Sequence, residues 1–213
     1  MILVGLTGGI GSGKSTVSQM LSERGAIIVD ADAVARELQQ PGTDVLRLMA
    51  EAFGSEILLP DGSLNRQAVA DKVFGNADAV KTLNGIVHPA IGKEMNRRIE
   101  EQRSTNNVVV LDIPLLFENP REGLCGVIVV DVPVKIAVNR LVSARGMTIE
   151  DAEARVSRQA SREDRRSIAD KVIDNSKDVE FLRQQVDEVW TWMQQLPAAA
   201  PDAGKQIRPN VKK

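Results

Sequence analysis

Residues Gly8-Gly9-Ile10-Gly11-Ser12-Gly13-Lys14-Ser15 follow directly on the apolar run Ile2-Leu3-Val4-Gly5-Leu6 and lead straight into Thr16-Val17-Ser18-Gln19-Met20-Leu21. A buried strand, a glycine-rich turn and a helix start, in that order, leave the chain few architectures. The glycines let the backbone curl so that successive N–H groups point inward. The helix N-terminus adds its own N–H groups and dipole. The G-x-x-x-x-G-K-[ST] spacing therefore implies a cradle for polyphosphate, formed by Gly9, Ile10, Gly11, Ser12, Gly13, Lys14, Ser15 and Thr16. Lys14 would reach the β- and γ-phosphates, and the Ser15 hydroxyl would ligate Mg²⁺. A nucleoside triphosphate is the ligand this pattern calls for.

The rest of the chain alternates short apolar β-branched runs with longer amphipathic ones, which predicts an α/β fold: a P-loop NTPase-type parallel sheet of about five strands flanked by helices. The expected strands are Ile2–Leu6, Ile27–Val29, Val108–Leu111, Val127–Val130 and Lys171–Asp174. Several end in acids, at Asp30, Asp112, Asp131 and Asp174, on the sheet edge where ligands of open α/β sheets bind. Residues 41–105 are too many for one crossover helix. They read as a helical insertion broken at Pro41-Gly42, Pro60-Asp61-Gly62 and His88-Pro89, with a helix starting at Pro89 that repeats Ile91, Met95 and Ile99. A last helix carries Val179, Leu182, Val186, Val189 and Met193, and residues 196–213 read as a disordered tail. Residues 1–195 thus form one domain: a core of about 1–40 and 106–195, the insertion, and a lid over about 140–160.

Composition narrows the partners. A net charge of −2 argues against a broad nucleic-acid footprint. The most apolar stretch, Val108 to Phe117, is interrupted by Asp112 and too short to cross a bilayer. A single cysteine, Cys125, and an N-terminus without a basic leader point to the cytoplasm; the thiol itself reads as packed or in a loop.

Three features bear on the reaction. No Asn-Lys-x-Asp guanine motif is present, which disfavours a GTPase. Asp30-Ala31-Asp32 closes the second strand and opens a helix, so Asp32 is on spacing alone equally a helix N-cap or the carboxylate that orients and deprotonates an alcohol acceptor. Asp112 could likewise hold a metal-bound water or cap a helix or turn. Residues 140–166 hold seven arginines, five acids and no lysine. Arg158, Arg162, Arg165 and Arg166 read as paired with neighbours on solvated helix faces. Arg140 and Arg145 instead flank a short flexible element suited to a lid, where planar donors match phosphoryl oxygens. His88, the only histidine, reads as a turn or helix-start residue able to hold an anionic or hydroxyl group. Another small-molecule kinase, or a nucleotide-dependent switch, shares part of this pattern.

The blocks Leu6 to Val17, Asp30-Ala31-Asp32, Asn65-Arg66, Leu83-Asn84 with Val87-His88-Pro89, Asp112-Ile113-Pro114-Leu115-Leu116-Phe117-Glu118, Arg140 with Arg145, Gln159, and Ala169-Asp170 ahead of Asn175 closely resemble the dephospho-coenzyme A kinases. The resemblance keeps the family's order and spacing over residues 1 to 195. It implies that ATP phosphorylates the ribose 3′-hydroxyl of dephospho-coenzyme A, the last step of coenzyme A biosynthesis, on a P-loop kinase core with a helical acceptor-binding domain and a mobile lid. It further implies that Asp32 is the base, that Lys14 and Arg140 act on phosphates, and that Asn175 lies by the adenine. Arg66, His88, Pro114, Leu115, Leu116 and Glu118 would contact the acceptor. Two departures stand out. Asn175 is followed by Ser176-Lys177-Asp178 where the family often has a glycine, and Asn119 to Gly126 matches nothing assignable.

Overall fold

The computed structural model describes residues 1–205. The chain divides into two compact units, one of Met1–Val29 together with the chain from Ile99 onward, the other of Asp30–Arg98.

The first unit is built on the sheet. Its strands are β1 (Ile2–Gly8), β2 (Ile27–Asp30, whose last residue opens the second unit), β3 (Val108–Asp112), β4 (Gly126–Asp131) and β5 (Lys171–Asp174). They lie in the order β2-β3-β1-β4-β5 and run parallel. All five expected strands are present, each with at most two residues added at an end. β1 is central, in register Leu3↔Val109 on one side and Leu6↔Ile128 on the other. Burial explains the composition: β3 is buried along its whole length, as a strand covered on both faces must be, and so reads as an unbroken apolar run rather than an alternating one. Helix α1 (Lys14–Glu23) and the last helix, Val179–Met193, cover the sheet, and Val17, Met20 and Leu21 meet Leu182, Val186, Val189 and Met193 in one core with Val4, Leu6 and Ile128. Val179, expected on the same stripe, lies outside it and is exposed.

Residues 197–205 depart from the expectation of a disordered tail. Arg103 donates to the carbonyls of Ala200 and Ala203 at 3.1 and 3.0 Å, Gly204 N–H donates to Glu122 O at 2.8 Å, and Ala203 is buried. The segment is poor in large apolar groups, but its small residues fit where larger ones could not: a Cβ on Gly123 would stand 2.9 Å from Ala203. The remainder of the expected tail, residues 206–213, lies outside the described residues.

The second unit is helical. After α2 (Ala31–Leu38) come α3 (Asp44–Phe53), a 3₁₀ turn at Ser55–Ile57, α4 (Arg66–Val73) and α5 (Ala77–Glu100), whose last two residues belong to the first unit. Thr43 and Asn65 cap α3 and α4 by accepting from Leu46 and Ala68 N–H. Val45, Met49, Ile57, Val69 and Val87 form its core. The breaks at Pro41-Gly42 and Pro60-Asp61-Gly62 are turns, but His88-Pro89 is not a break, since α5 runs through it. Pro89 removes one N–H from the ladder, that facing the Gly85 carbonyl, and the burial of Val87, Met95 and Ile99 around it outweighs that single lost bond. The first unit also holds α6 (Val134–Arg145), α7 (Ile149–Ser157) and the short α8 (Arg162–Ser167), and its last helix, Val179–Met193, is α9. No helix among the described residues is long and apolar enough to cross a membrane.

Glu94 ties α5 to α2 through arginines. It accepts from Arg97 and Arg98, and Arg98 also reaches Glu37. Hydrogen bonds from Arg97 and then Arg98 pull the Glu94 carboxyl from 4.5 down to about 2. A carboxyl lowered on folding stabilises the folded state above its unfolded value and loses that contribution as pH falls toward the folded one. Glu94→Gln should therefore cost about 1 kcal/mol near neutral pH, the scale of a half-exposed ion-pair network. The gap in thermal stability should close as pH falls from 4.5 toward 2; a gap that does not change with pH would show that the network contributes nothing through ionisation.

Candidate active site

The turn from β1 to α1 is left-handed at two points, Gly11 with φ +77° and Gly13 with φ +83°. Both spaces are also walled. A Cβ at Gly11 would meet the Ala137 carbonyl at 2.7 Å, and one at Gly13 would meet Asn175 Nδ2 at 2.2 Å. Only glycine satisfies the torsion and the wall together. The turn has little internal bonding: Ser12 N–H donates to Gly9 O at 3.0 Å, and Thr16 N–H to Gly13 O at 3.0 Å. Among the described residues, the N–H groups of Gly11, Gly13, Lys14 and Ser15 have no acceptor. Four donors left open at a helix N-terminus form a ready anion site.

Lys14 is ion-paired with Asp112 at the end of β3, and Asp112 also accepts from the Ser18 hydroxyl at 2.8 Å. Asp112 is 2% exposed, so its charge needs those partners. A turn, not a helix, follows β3, so no helix is capped there; the two carboxylate oxygens are engaged by Lys14 and Ser18. Ser15 and Thr16 are exposed at the first turn of α1.

Across the loop stand β4, β5 and α6. Asn175, 8% exposed after β5, donates from Nδ2 to Ser12 O at 2.7 Å. Arg140 donates to the Asn175 carbonyl at 2.8 Å and to Ser12 O at 3.4 Å. It sits on a regular helix with Ala137, Val138 and Leu141 buried, not on the flexible element expected there, while Arg145 at the helix end is exposed. The apolar side of α6 makes the difference, since burying Val138 and Leu141 against Ala152 of α7 orders the segment. Ile10 of the loop packs into the same cluster.

The arginines of α8 are also placed differently from the expectation. Arg162 and Arg166, four residues apart, both clamp the buried Asp131 at the end of β4, with contacts of 2.7 Å each. Burial pushes the Asp131 carboxyl up, but the hydrogen bonds and charges of the two guanidinium groups outweigh it and hold the group below its ordinary value. Arg165, between them, has no carboxylate partner among the described residues and donates only to Ala160 O.

Of the residues expected at the acceptor, Thr7 holds the Pro114 carbonyl at 3.0 Å, and Glu118 accepts from Ala160 N–H at 2.9 Å. Leu115 is exposed, whereas Leu116 is 2% exposed, in the space where a Cβ on Gly5 would clash with it. Leu116 is therefore a packing residue of the sheet rather than an open contact. In the helical unit Arg66 donates to Gln39 at 3.0 Å and lines a cavity of about 190 Å³ with Asn84, Leu83 and Leu64; His88 is exposed on α5. Asp30, not Asp32, is the N-cap of α2: its side chain accepts from Asp32 and Ala33 N–H at 2.8 and 3.1 Å. That leaves the exposed Asp32 carboxylate without a hydrogen bond among the described residues. Ser18 was not foreseen, and Asp131, expected among the acids at the sheet edge, was not foreseen as the partner of two arginines. Ser18 was readable from its place four residues after Lys14 on the same helix face, and Asp131 from the i, i+4 pair of arginines that seek one acid.

A parallel sheet that carries this open-amide loop at the end of its central strand, with guanidinium groups gathered around it, defines the P-loop class of small-molecule kinases. The family profile described as CoaE, Dephospho-CoA kinase, matches residues 2–180. A Dephospho-CoA kinase of Streptomyces avermitilis is 48% identical over 191 residues, covering 89% of this chain and 93% of its own. One of Thermobifida fusca is 46% identical, covering 91% and 97%. The solved Dephospho-CoA kinase from Campylobacter jejuni superposes with a TM-score of 0.65 at 25% identity, over 90% of this chain and 96% of its own. The chain belongs to the dephospho-CoA kinase family.

The walls of the loop can be tested directly. Gly13→Ala strains a left-handed position by about 1–2 kcal/mol and displaces Asn175 as well. ATP affinity, measured by calorimetry, should fall roughly tenfold or more, since each 1.4 kcal/mol is a factor of ten. Unchanged affinity would mean that this end of the loop does not hold phosphate.

Proposed function

We propose that this chain transfers the γ-phosphoryl group of ATP to the ribose 3′-hydroxyl of dephospho-coenzyme A, releasing ADP and coenzyme A. The observation that carries the reading is the set of open amides at the N-terminus of α1 beside Lys14, in a chain of the dephospho-CoA kinase family.

The chemistry asks little covalent help from the protein. The new bond joins the acceptor oxygen to the γ-phosphorus, the bond to the β–γ bridging oxygen breaks, and ADP leaves with the electron pair. The amides and Lys14 spread the charge over the phosphates, which requires Lys14 to exchange its Asp112 partner for phosphate oxygen. The acceptor proton goes to a carboxylate, for which Asp32 is suited because Asp30 has taken over the capping of α2. Arg140, held only by carbonyls, supplies charge to the phosphates, and Asn175 borders the nucleotide side of the loop.

Mg²⁺ fits the residues present. No cluster of three or more acids, histidines or cysteines able to hold a metal exists among the described residues. Ser15 and Asp112 supply one hydroxyl and one carboxylate, the small hard-oxygen set that suits an ion arriving with its phosphates. When bound, the ion would neutralise β- and γ-phosphate charge. On the acceptor side, Arg66, His88, Pro114, Leu115 and Glu118 remain the contact candidates, with the cavity at Arg66 and Asn84 offering mixed polar and apolar lining.

ADP release measured with dephospho-coenzyme A, AMP and shikimate in parallel should be strong with the first alone. Equal turnover with another alcohol would transfer the chain to a different acceptor class, and slow release indifferent to all three would make it a switch or bare ATPase. Asp32→Asn should keep ATP binding and lower kcat by roughly 10²–10⁴-fold, the range for losing a general base. Near-normal turnover by that variant would remove Asp32 from the base role. Lys14→Ala should abolish transfer, and retained activity would discredit the phosphate cradle.

A further inference from the structure

The turn between α7 and α8 is fastened to the phosphate loop by two contacts with no role in the scheme above. Gln159 Oε1 accepts the Ile10 N–H at 2.8 Å. Over the neighbouring residue, the Arg165 guanidinium fills the space of the missing side chain: a Cβ on Gly9 would stand 2.7 Å from Arg165 Nη2 and 3.0 Å from its Cζ.

Charge makes this placement informative. Three arginines lie close together on α8, and two of them spend their charge on Asp131. The Asp131 clamp fixes α8 to β4, and Arg165, facing the other way, meets only the Ala160 carbonyl on its own turn. Lys14 is neutralised by Asp112. The loop is therefore flanked by two guanidinium groups that no carboxylate compensates, Arg140 at its Ser12 end and Arg165 at its Gly9 end. An arginine held against the Gly9 end of this loop, with an acid clamping its neighbours but none beside it, is placed for an anion. The helix-terminal amides of Lys14 and Ser15 take the inner phosphates of a bound chain, so the Gly9 end of the turn faces its outer phosphate.

We propose that Arg165 is a second catalytic arginine, which contacts the transferred γ-phosphoryl group from the Gly9 side of the loop, while Arg140 serves the Ser12 side. Gln159 and the Asp131 clamp are positioning groups that register Arg165 against the loop. The assignment rests on the kinase reading given above and adds a residue to it.

Arg165→Ala and Arg165→Lys test it through three measurements: kcat with saturating ATP and dephospho-coenzyme A, affinity for ADP, and affinity for a non-hydrolysable ATP analogue. Losing one preorganised donor to developing charge costs about 10²–10³ in kcat, and the Ala variant should fall in that range. Its affinity for ADP should stay within about twofold while that for the ATP analogue drops about tenfold, and Lys should recover part of both losses. Equal loss of ADP and ATP-analogue binding, or an unchanged kcat, would overturn the proposal by reducing Arg165 to a prop for the loop.

Gly9→Ala gives an independent route, since its methyl group displaces the guanidinium without touching Arg165. Its loss of kcat should be non-additive with that of Arg165→Ala; strictly additive losses would show that the two do not act together. Thermal melts of every variant establish that each is folded, and Lys stands in if the Ala variant is not. Failure of the wild-type chain to phosphorylate dephospho-coenzyme A would sink the kinase reading instead, and would still leave the ADP-against-ATP-analogue comparison to decide Arg165.

Discussion

The turn after β1 cannot hold itself together. To serve a polyphosphate it must leave its amides unpaired, and a backbone with unpaired amides has few internal bonds to make it rigid. The rest of the first unit supplies that rigidity from outside. Asn175 and Arg140 grip the Ser12 carbonyl, Gln159 takes the one amide at Ile10, and the half-buried Ile10 side chain packs against the α6–α7 cluster. Because β1 is central, its exit lies between the ends of β3 and β4.

Charge is arranged on the same principle. Asp112 and Asp131 end the two strands that flank β1 and are almost fully buried, and a buried carboxylate without partners would be strongly unfavourable. Each is given cations: Lys14 for Asp112, Arg162 and Arg166 for Asp131. On the kinase reading proposed above the two pairs differ in use: the clamp on Asp131 keeps α8 on the sheet, whereas Lys14 would exchange Asp112 for a phosphate oxygen.

Much of this was legible in the residues. The β-branched runs marked all five strands: β1, β3 and β4, buried on both faces, carry apolar side chains at successive positions, while the partly exposed edge strands β2 and β5 keep shorter runs. The 3–4 spacing of Leu182, Val186, Val189 and Met193 marked the last helix for the same kind of reason. Where local signals competed, reading along the chain went astray. Pro89 looks like a helix boundary, yet the core around Val87 and Met95 carries the helix across it. Asp30 and Asp32 both look like caps, and only the geometry at the end of β2 shows which one is used. Alanines and glycines after Pro197 look like an unstructured tail, but small residues pack well where a groove is narrow, and Arg103 secures their carbonyls.

By itself the sequence determined the loop, the sheet and the helix that follows, since glycine torsions, strand alternation and helical period act over a few residues and need no distant partner. The tertiary structure alone decided which arginine lies against the loop and which pairs with aspartate, and what holds the loop in place. Those choices depend on pairs such as Asn175 with Ser12 and Gln159 with Ile10, separated by 163 and 149 positions. The i, i+4 spacing pairs Arg162 with Arg166, but nothing in it places Arg165 beside the loop. Only folding α8 onto β4 turns two of them toward a buried acid and the third toward the loop.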